Sequence, residues 1–255
     1  MAVTQASERW LWRPRPRPDA RLRLLCFPHA GGGPSVFHGW AEALPGEVEL
    51  IAVRLPGRHS RISEAPCTDW AELLAHLGGV VSELTDRPFA LFGHSLGAMI
   101  AYELARRTAD GGGAAPGRLL LAGCRAPDVP RLVQAIHKLP DTEFACRLPQ
   151  VTVTPREVLA DRRMMALVLP SIRADLTLAE TWPPAAPTRV RQPATVFAGR
   201  QDRFAPPWSV RGWSRFTGPL TRHVLPGDHF FLHSAKSSFL ELLAADVAAI
   251  AGSDR

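Results

Sequence analysis

Several features are scarce or missing in this sequence of 255 residues, and each absence excludes a class of protein. No uninterrupted apolar run reaches about 18 residues, so no transmembrane helix is predicted. The N-terminal segment lacks the apolar core of a signal peptide and is rich in arginine and proline, so we expect a cytoplasmic protein. Four cysteines are present without metal-ligand spacing: Cys26, Cys67, Cys124 and Cys146. We therefore expect reduced cysteines and no metal site.

Acidic residues are fewer than basic ones, which leaves a formal net charge of +6. Nearly all the basic residues are arginines, and they are scattered along the chain without an aromatic–basic stripe or a nucleic-acid-binding motif. An excess of positive charge favours an acidic partner. Because the arginines are scattered and neither a nucleic-acid-binding motif nor a transmembrane run is present, we expect neither nucleic acid nor a membrane as that partner.

The order of apolar patterns predicts the fold class. Short apolar runs typical of strands alternate with helical patterns, which predicts an α/β fold with a mostly parallel central sheet flanked by helices. The segment 125–187 interrupts this alternation with helical patterns and no convincing strand. We predict an extended N-terminal arm over residues 1–20, a core formed by residues 21–124 and 188–255, and a helical lid over residues 125–187.

The pentapeptide Gly93-His94-Ser95-Leu96-Gly97 is the strongest chemical signal in the chain. An apolar run precedes it and a helical pattern follows it, which is the strand–turn–helix context of a nucleophile elbow. Glycines on both sides of Ser95 remove the Cβ atoms that would collide in such a tight turn. We therefore predict Ser95 as a catalytic nucleophile.

A serine hydroxyl needs a base to take its proton and an acid to orient that base. In the expected chain order of serine, acid and histidine, each partner follows a later strand. Asp202 follows the run that ends at Gly199, and His229 follows the run that ends at Leu225. Other histidines lie where packing or surface roles are the default. The competing carboxylates are poorer candidates, because Asp228 directly precedes the base and Asp175 lies in the predicted lid.

The tetrahedral oxyanion formed by such a nucleophile needs two backbone donors. The first is the Leu96 N–H at the start of the elbow helix. The second is predicted in the loop that follows the first strand, where the Ala30 N–H precedes a run of glycines.

The predicted lid contains a helical pattern that begins near Pro155 and is expected to bend or end at Pro170. A second helix is predicted over residues 171–181. Met164, Met165 and Val168 lie in the first pattern. Flexible methionines suit an adaptable acyl pocket, although the same side chains could equally attach the lid to the body.

Several segments resemble the signatures of type II thioesterases, the discrete proofreading hydrolases of polyketide and nonribosomal peptide synthesis. They are FPHAGG at 27–32, LPGR at 55–58, GHSLG at 93–97, GDHFF at 227–231, and the lid segments LPDTEF at 139–144 and LPSIRAD at 169–175. The resemblance implies an α/β-hydrolase fold with Ser95, His229 and Asp202 as the triad. It also implies a thioester substrate on the phosphopantetheine arm of an acyl or peptidyl carrier protein, with no further cofactor.

Three functions are compatible with these residues. The leading hypothesis is hydrolysis of carrier-bound thioesters. An acyltransferase or cyclase, or a general esterase, would use the same three side chains. A carrier-binding module without activity is the third, and the intact serine–histidine–aspartate set argues against it.

Overall fold

The computed structural model describes residues 4–111, 113–183 and 185–252. Within these ranges one sheet is formed by seven strands: β1 Leu11–Trp12, β2 Leu22–Phe27, β3 Val48–Val53, β4 Phe89–His94, β5 Leu119–Ala122, β6 Ala194–Gly199 and β7 Leu220–Leu225. The strand order is β1-β3-β2-β4-β5-β6-β7, and every neighbouring pair is parallel except β1 with β3. The predicted α/β fold with a mostly parallel sheet is confirmed.

Helices connect the strands and cover the sheet. In the described ranges they are α1 Gln5–Glu8, α2 Trp40–Ala43, α3 Trp70–Ser82, α4 Leu96–Gly111, α5 Asp141–Arg147, α6 Arg156–Ala160, α7 Arg162–Thr181, α8 Phe231–Ser234 and α9 Lys236–Gly252. Helices α5, α6 and α7 all lie between β5 and β6, within the segment predicted as a lid.

The central strands are buried and mostly apolar because both faces of the sheet are covered. Every residue of β2 is buried. Leu25 and Phe27 belong to one core cluster, whereas Leu24 and Cys26 belong to a second. Successive side chains of a strand point to opposite faces, so the two clusters lie on the two sides of the sheet.

The first 20 residues contribute more than the predicted extended arm. Strand β1 pairs antiparallel with β3, with Leu11 opposite Val53, and Trp10 is buried in the core. The other predicted domain boundaries stay predictions. Residues 1–3 of the arm, 184 of the lid, and 112 and 253–255 of the core lie outside the described residues.

The predicted division into two helices at Pro170 is wrong, because α7 runs from Arg162 to Thr181 with Pro170 inside it. A proline in a helix interior removes one hydrogen bond and costs about 3 kcal/mol. The residues that follow it compensate, because Ile172, Leu176 and Leu178 are buried in the core of the protein. Packing of a buried face is the main source of helix stability in proteins.

Candidate active site

Ser95 lies on the turn between β4 and α4 with a φ of +55°. Such a conformation is strained for a residue with a side chain and is typical of functional sites. A Cβ on Gly93 would lie 2.0 Å from the Gly97 carbonyl oxygen, and a Cβ on Gly97 would lie 2.0 Å from the Phe27 carbonyl oxygen. The two glycines therefore allow α4 to begin directly against the ends of β4 and β2, as the elbow motif predicts.

The strands β6 and β7 deliver the predicted acid and base to the same end of the sheet. His229 Nδ1 lies 2.8 Å from Asp202 Oδ2, and both residues are buried. Asp202 Oδ1 accepts hydrogen bonds from the N–H groups of Phe204 and Ala205 at 2.8 and 3.0 Å. Burial opposes ionisation of Asp202, but the hydrogen bond and charge of His229 and the two N–H groups outweigh it, so the pKa of Asp202 is lowered.

Ser95 and His229 line one cavity of about 80 Å³. Because Asp202 holds Nδ1, the opposite ring nitrogen, Nε2, is the one free to take a proton from serine. No hydrogen bond joins the Ser95 hydroxyl to His229 among the residues that the structure describes. Catalytic hydrogen bonds are often long in unliganded enzymes and tighten when substrate binds. The catalytic triad stays a prediction, which these contacts support.

A residue that the sequence analysis passed over also holds the base. His94 is fully buried, and its Nε2 donates a hydrogen bond of 2.8 Å to the carbonyl oxygen of His229. Burial lowers the pKa of His94 well below its usual value, so the ring is neutral. Its position between Gly93 and Ser95 predicts only a side chain that points away from the serine. Its partner lies 135 residues later in the chain, where no local pattern could indicate it.

Both predicted oxyanion donors lie in suitable places. Leu96 is the first residue of α4, and a helix N-terminus presents unpaired N–H groups to an anion. Ala30 lines the cavity beside Ser95, and its carbonyl oxygen accepts a hydrogen bond of 2.9 Å from His29 Nδ1. Burial lowers the pKa of His29 to about 4, so this ring is neutral at pH 7 and holds its proton on Nδ1. The roles of the Ala30 and Leu96 N–H groups stay predictions.

The three lid side chains predicted for the acyl pocket do not line the Ser95 cavity. Met164 is 42% exposed, and Met165 lines a separate depression of the surface. Val168 lines a further depression, which shares His29 and Ala30 with the Ser95 cavity. Because α7 is continuous, residue 164 lies about 18 Å along the helix from residue 176, at 1.5 Å per residue. The cavity is instead lined from α7 by Leu176, Ala179 and Glu180.

Across the described ranges, no helix is both long and apolar enough to cross a membrane. The same residues contain no group of three or more His, Cys, Asp or Glu side chains arranged to hold a metal ion. All four cysteines are free.

Comparison with known proteins decides the family. Residues 22–247 match the family model described as a thioesterase domain. The chain belongs to the thioesterase family. The thioesterase is 34% identical over 244 residues to gramicidin S biosynthesis protein GrsT of Aneurinibacillus migulanus, with 95% of each chain covered. It is 37% identical over 229 residues to Thioesterase PikA5 of Streptomyces venezuelae, covering 88% of this chain and 80% of the relative. The prediction of a hydrolase that acts on thioesters is confirmed.

A solved structure gives the same result for the fold. The type II thioesterase BorB from the borrelidin biosynthetic cluster superposes on the thioesterase with a TM-score of 0.82 at 35% identity, covering 92% of this chain and 96% of BorB. The resemblance to type II thioesterases and the α/β-hydrolase fold are therefore confirmed.

Proposed function

We propose that this thioesterase hydrolyses acyl groups from the phosphopantetheine arms of acyl or peptidyl carrier proteins, and so removes stalled or aberrant acyl groups during polyketide or nonribosomal peptide synthesis. Relatives named for gramicidin S and borrelidin biosynthesis support the pathway class. One observation carries the chemistry: Ser95, on a strained elbow, lines the same cavity as the hydrogen-bonded pair of His229 and Asp202.

In the first half-reaction Ser95 Oγ attacks the thioester carbonyl carbon, and His229 Nε2 takes the hydroxyl proton. The carbonyl oxygen becomes an oxyanion that accepts hydrogen bonds from the N–H groups of Ala30 and Leu96. The C–S bond then breaks, and the departing sulfur takes the proton from His229. Asp202 keeps the proton on Nδ1 and stabilises the imidazolium while it exists.

In the second half-reaction a water molecule attacks the acyl-serine while His229 Nε2 takes one of its protons. The new oxyanion accepts hydrogen bonds from the same two N–H groups, those of Ala30 and Leu96. Collapse of this intermediate breaks the bond to Ser95 Oγ, which recovers its proton from His229, and the free acid leaves. The substrate supplies the phosphopantetheine arm, and these steps need no other cofactor.

Apolar side chains line the Ser95 cavity, among them Met99, Leu176 and Ala179. We infer that these side chains contact the acyl group and determine which chain lengths fit. Leu176→Ala should enlarge the cavity and raise kcat/KM for longer chains, by up to roughly fourfold for each additional buried methylene at about 0.8 kcal/mol. Met164→Ala changes an exposed residue of the same helix and should leave the chain-length profile unchanged.

The carrier protein is the proposed partner, with no role for nucleic acid or membrane. The net charge of +6 favours an acidic partner. Arg131, which lines the cavity, and Arg203, which precedes the lining residue Phe204, are both exposed at this face. We place the enzyme in the cytoplasm, a compartment in which free cysteines such as its four are the rule.

Release of acid from a propionyl-loaded carrier protein tests the proposal. We expect wild-type enzyme to release propionate with a higher kcat/KM than from propionyl-coenzyme A, and the advantage should shrink as salt screens the docking charges. Ser95→Ala is the matched control and should release no acid above background. Equal kcat/KM for the carrier and for coenzyme A at all salt concentrations would contradict the carrier assignment.

An acyltransferase or cyclase is the second candidate, because it would use the same triad. The same assay with and without a competing alcohol or amine separates the reactions. We expect free acid in both cases, whereas an exclusive transfer product would exclude hydrolysis.

A further inference from the structure

Asp175 of α7 reaches into the loop that carries the predicted oxyanion donor Ala30. Its carboxylate is 2% exposed, and Oδ2 accepts a hydrogen bond of 2.8 Å from the Gly31 N–H. This bond joins residues 144 positions apart in the chain. A carboxylate that the sequence marks only as a poor candidate for the triad therefore contacts the residue directly after Ala30.

Arg58 completes this contact from a third segment of the chain, the turn that follows β3. Its Nη1 and Nη2 donate to Asp175 Oδ2 and Oδ1 at 2.5 and 2.7 Å, a bidentate pair. Nη1 also donates to the carbonyl oxygen of Gly32 at 2.9 Å. The loop is thus held at the Gly31 N–H and at the Gly32 carbonyl oxygen by the two members of one ion pair.

The peptide group between Ala30 and Gly31 is held on both sides. Its carbonyl oxygen accepts from His29 Nδ1, and its N–H donates to Asp175. Gly31 has a φ of +75°, which a side chain would strain. With this peptide plane fixed, rotation at Ala30 is limited, and the direction of its own N–H is set relative to the Ser95 cavity.

The energetics of the ion pair favour a positional role over a stabilising one. Both Arg58 and Asp175 are buried, at 8% and 2% exposure. Desolvation of two charges consumes most of their attraction, so a buried pair adds little net stability. A buried pair does impose one geometry, because any displacement leaves a charge without its partner.

We propose that Asp175 and Arg58 are positioning residues for the oxyanion hole, and that they tie its formation to the seating of α7 over the cavity. The inference rests on the proposed function. When α7 is in place, the Gly31 N–H is occupied by Asp175, and the Ala30 N–H remains for the substrate oxygen. Displacement of α7 withdraws Asp175 and frees the loop, so the enzyme stabilises the oxyanion only with the helix seated.

Two double variants isolate this role. Arg58→Met/Asp175→Asn removes both charges but keeps an acceptor for the Gly31 N–H. Arg58→Met/Asp175→Leu removes both charges and the acceptor. Replacement of a buried ion pair by apolar residues of similar volume is often neutral for stability, so both variants should fold, which thermal unfolding checks. Asp141→Asn is the control. It removes the 2.7 Å ion pair between Asp141 of α5 and Arg173, which lies on α7 close to Asp175.

The readouts are kcat and KM for propionyl carrier protein, the pH profile, and affinity for an alkyl trifluoromethyl ketone, whose serine adduct carries an oxyanion. We expect Arg58→Met/Asp175→Leu to lower kcat and ketone affinity together by about 10- to 100-fold, less than the roughly 10²–10³-fold loss of a donor itself. KM and the pH midpoint should stay constant, and the Asn variant should recover most of the loss.

Several results would overturn the inference. They are equal kcat for the two double variants, a loss confined to KM, a shifted pH midpoint, or a loss of equal size in Asp141→Asn. Wild-type enzyme that fails to hydrolyse the carrier substrate would instead contradict the proposed function. Ketone affinity would still test the positioning role in that case, because ketone binding does not require a carrier protein.

Discussion

His94 Nε2 donates a 2.8 Å hydrogen bond to the carbonyl oxygen of His229, and so the residue before the nucleophile holds the backbone of the base. His94→Phe should leave this buried carbonyl unsatisfied and lower the free energy of unfolding by about 1–3 kcal/mol. It should also lower kcat, because His229 loses a positional contact. His94→Gln keeps a donor and should recover part of both losses. Urea unfolding and acyl release measure the two effects, and a His94→Phe enzyme with wild-type stability would contradict the role.

Asp202→Asn should lower kcat by about 10⁴-fold with little change in KM. The amide cannot orient His229 in the required tautomer, nor stabilise its charged form. Asp228→Asn is the matched control. Asp228 is exposed, and its Oδ1 accepts a hydrogen bond of 2.9 Å from the nearby Phe230 N–H. Steady-state kinetics on a propionyl carrier protein measure both variants. A larger loss of kcat in Asp228→Asn than in Asp202→Asn would show that Asp202 is not the acid of the triad.

Gly123→Ala should impair catalysis more than stability. Gly123 has a φ of +57°, and a Cβ there would lie 2.9 Å from His94 Nε2 and 3.2 Å from His229 Cε1. The methyl group would displace both rings, and a displacement of about 1 Å near the chemistry can cost about 10²-fold in rate. Gly78→Ala is the control, since nothing lies within 4 Å of a Cβ at this helical position. It should keep full activity and gain roughly 0.5–1 kcal/mol of stability. Equal kcat for both variants would show that Gly123 does not position the base.

Acid should destabilise the enzyme through its buried neutral histidines. Burial lowers the pKa of His29 from 6.5 to about 4, so between these values the unfolded state binds more protons than the folded state. Stability therefore falls as pH decreases below about 6.5, by about 2 kcal/mol at pH 5 for His29 alone. The lowered pKa of His94 acts in the same direction. The free energies of unfolding at pH 7.5 and pH 5.0 should differ less in His29→Gln than in the wild type. An unchanged difference would exclude His29 as a source of the acid sensitivity.

The strands and the elbow could be predicted because their signals are local. The runs 48–53 and 194–199 are mostly apolar, with Glu49 and Thr195 as their polar residues, and they form β3 and β6 with the same bounds. Buried parallel strands require such runs, whatever the rest of the fold does. The Ser95 turn carries its own steric requirement in the two flanking glycines, so the motif predicts its own geometry.

Contacts between distant segments could not be predicted in this way. Asp175 and Arg58 are 117 positions apart in the chain, and no local sequence pattern around either residue indicates the other as its partner. Pro170 misled the helix prediction because burial of residues 172–178 outweighs its local cost. The role of Met164, Met165 and Val168 in an acyl pocket stays a prediction, and the Ser95 cavity is lined from α7 by Leu176, Ala179 and Glu180.

The central claim is that Ser95 forms a covalent acyl intermediate. The direct measurement is intact-protein mass spectrometry of enzyme mixed with a propionyl carrier protein and quenched at successive times, followed by peptide mapping. We expect a transient gain of one propionyl group on the peptide that contains Ser95, with none in Ser95→Ala. Propionate release at the wild-type rate from Ser95→Ala, or acylation at another residue, would contradict the account.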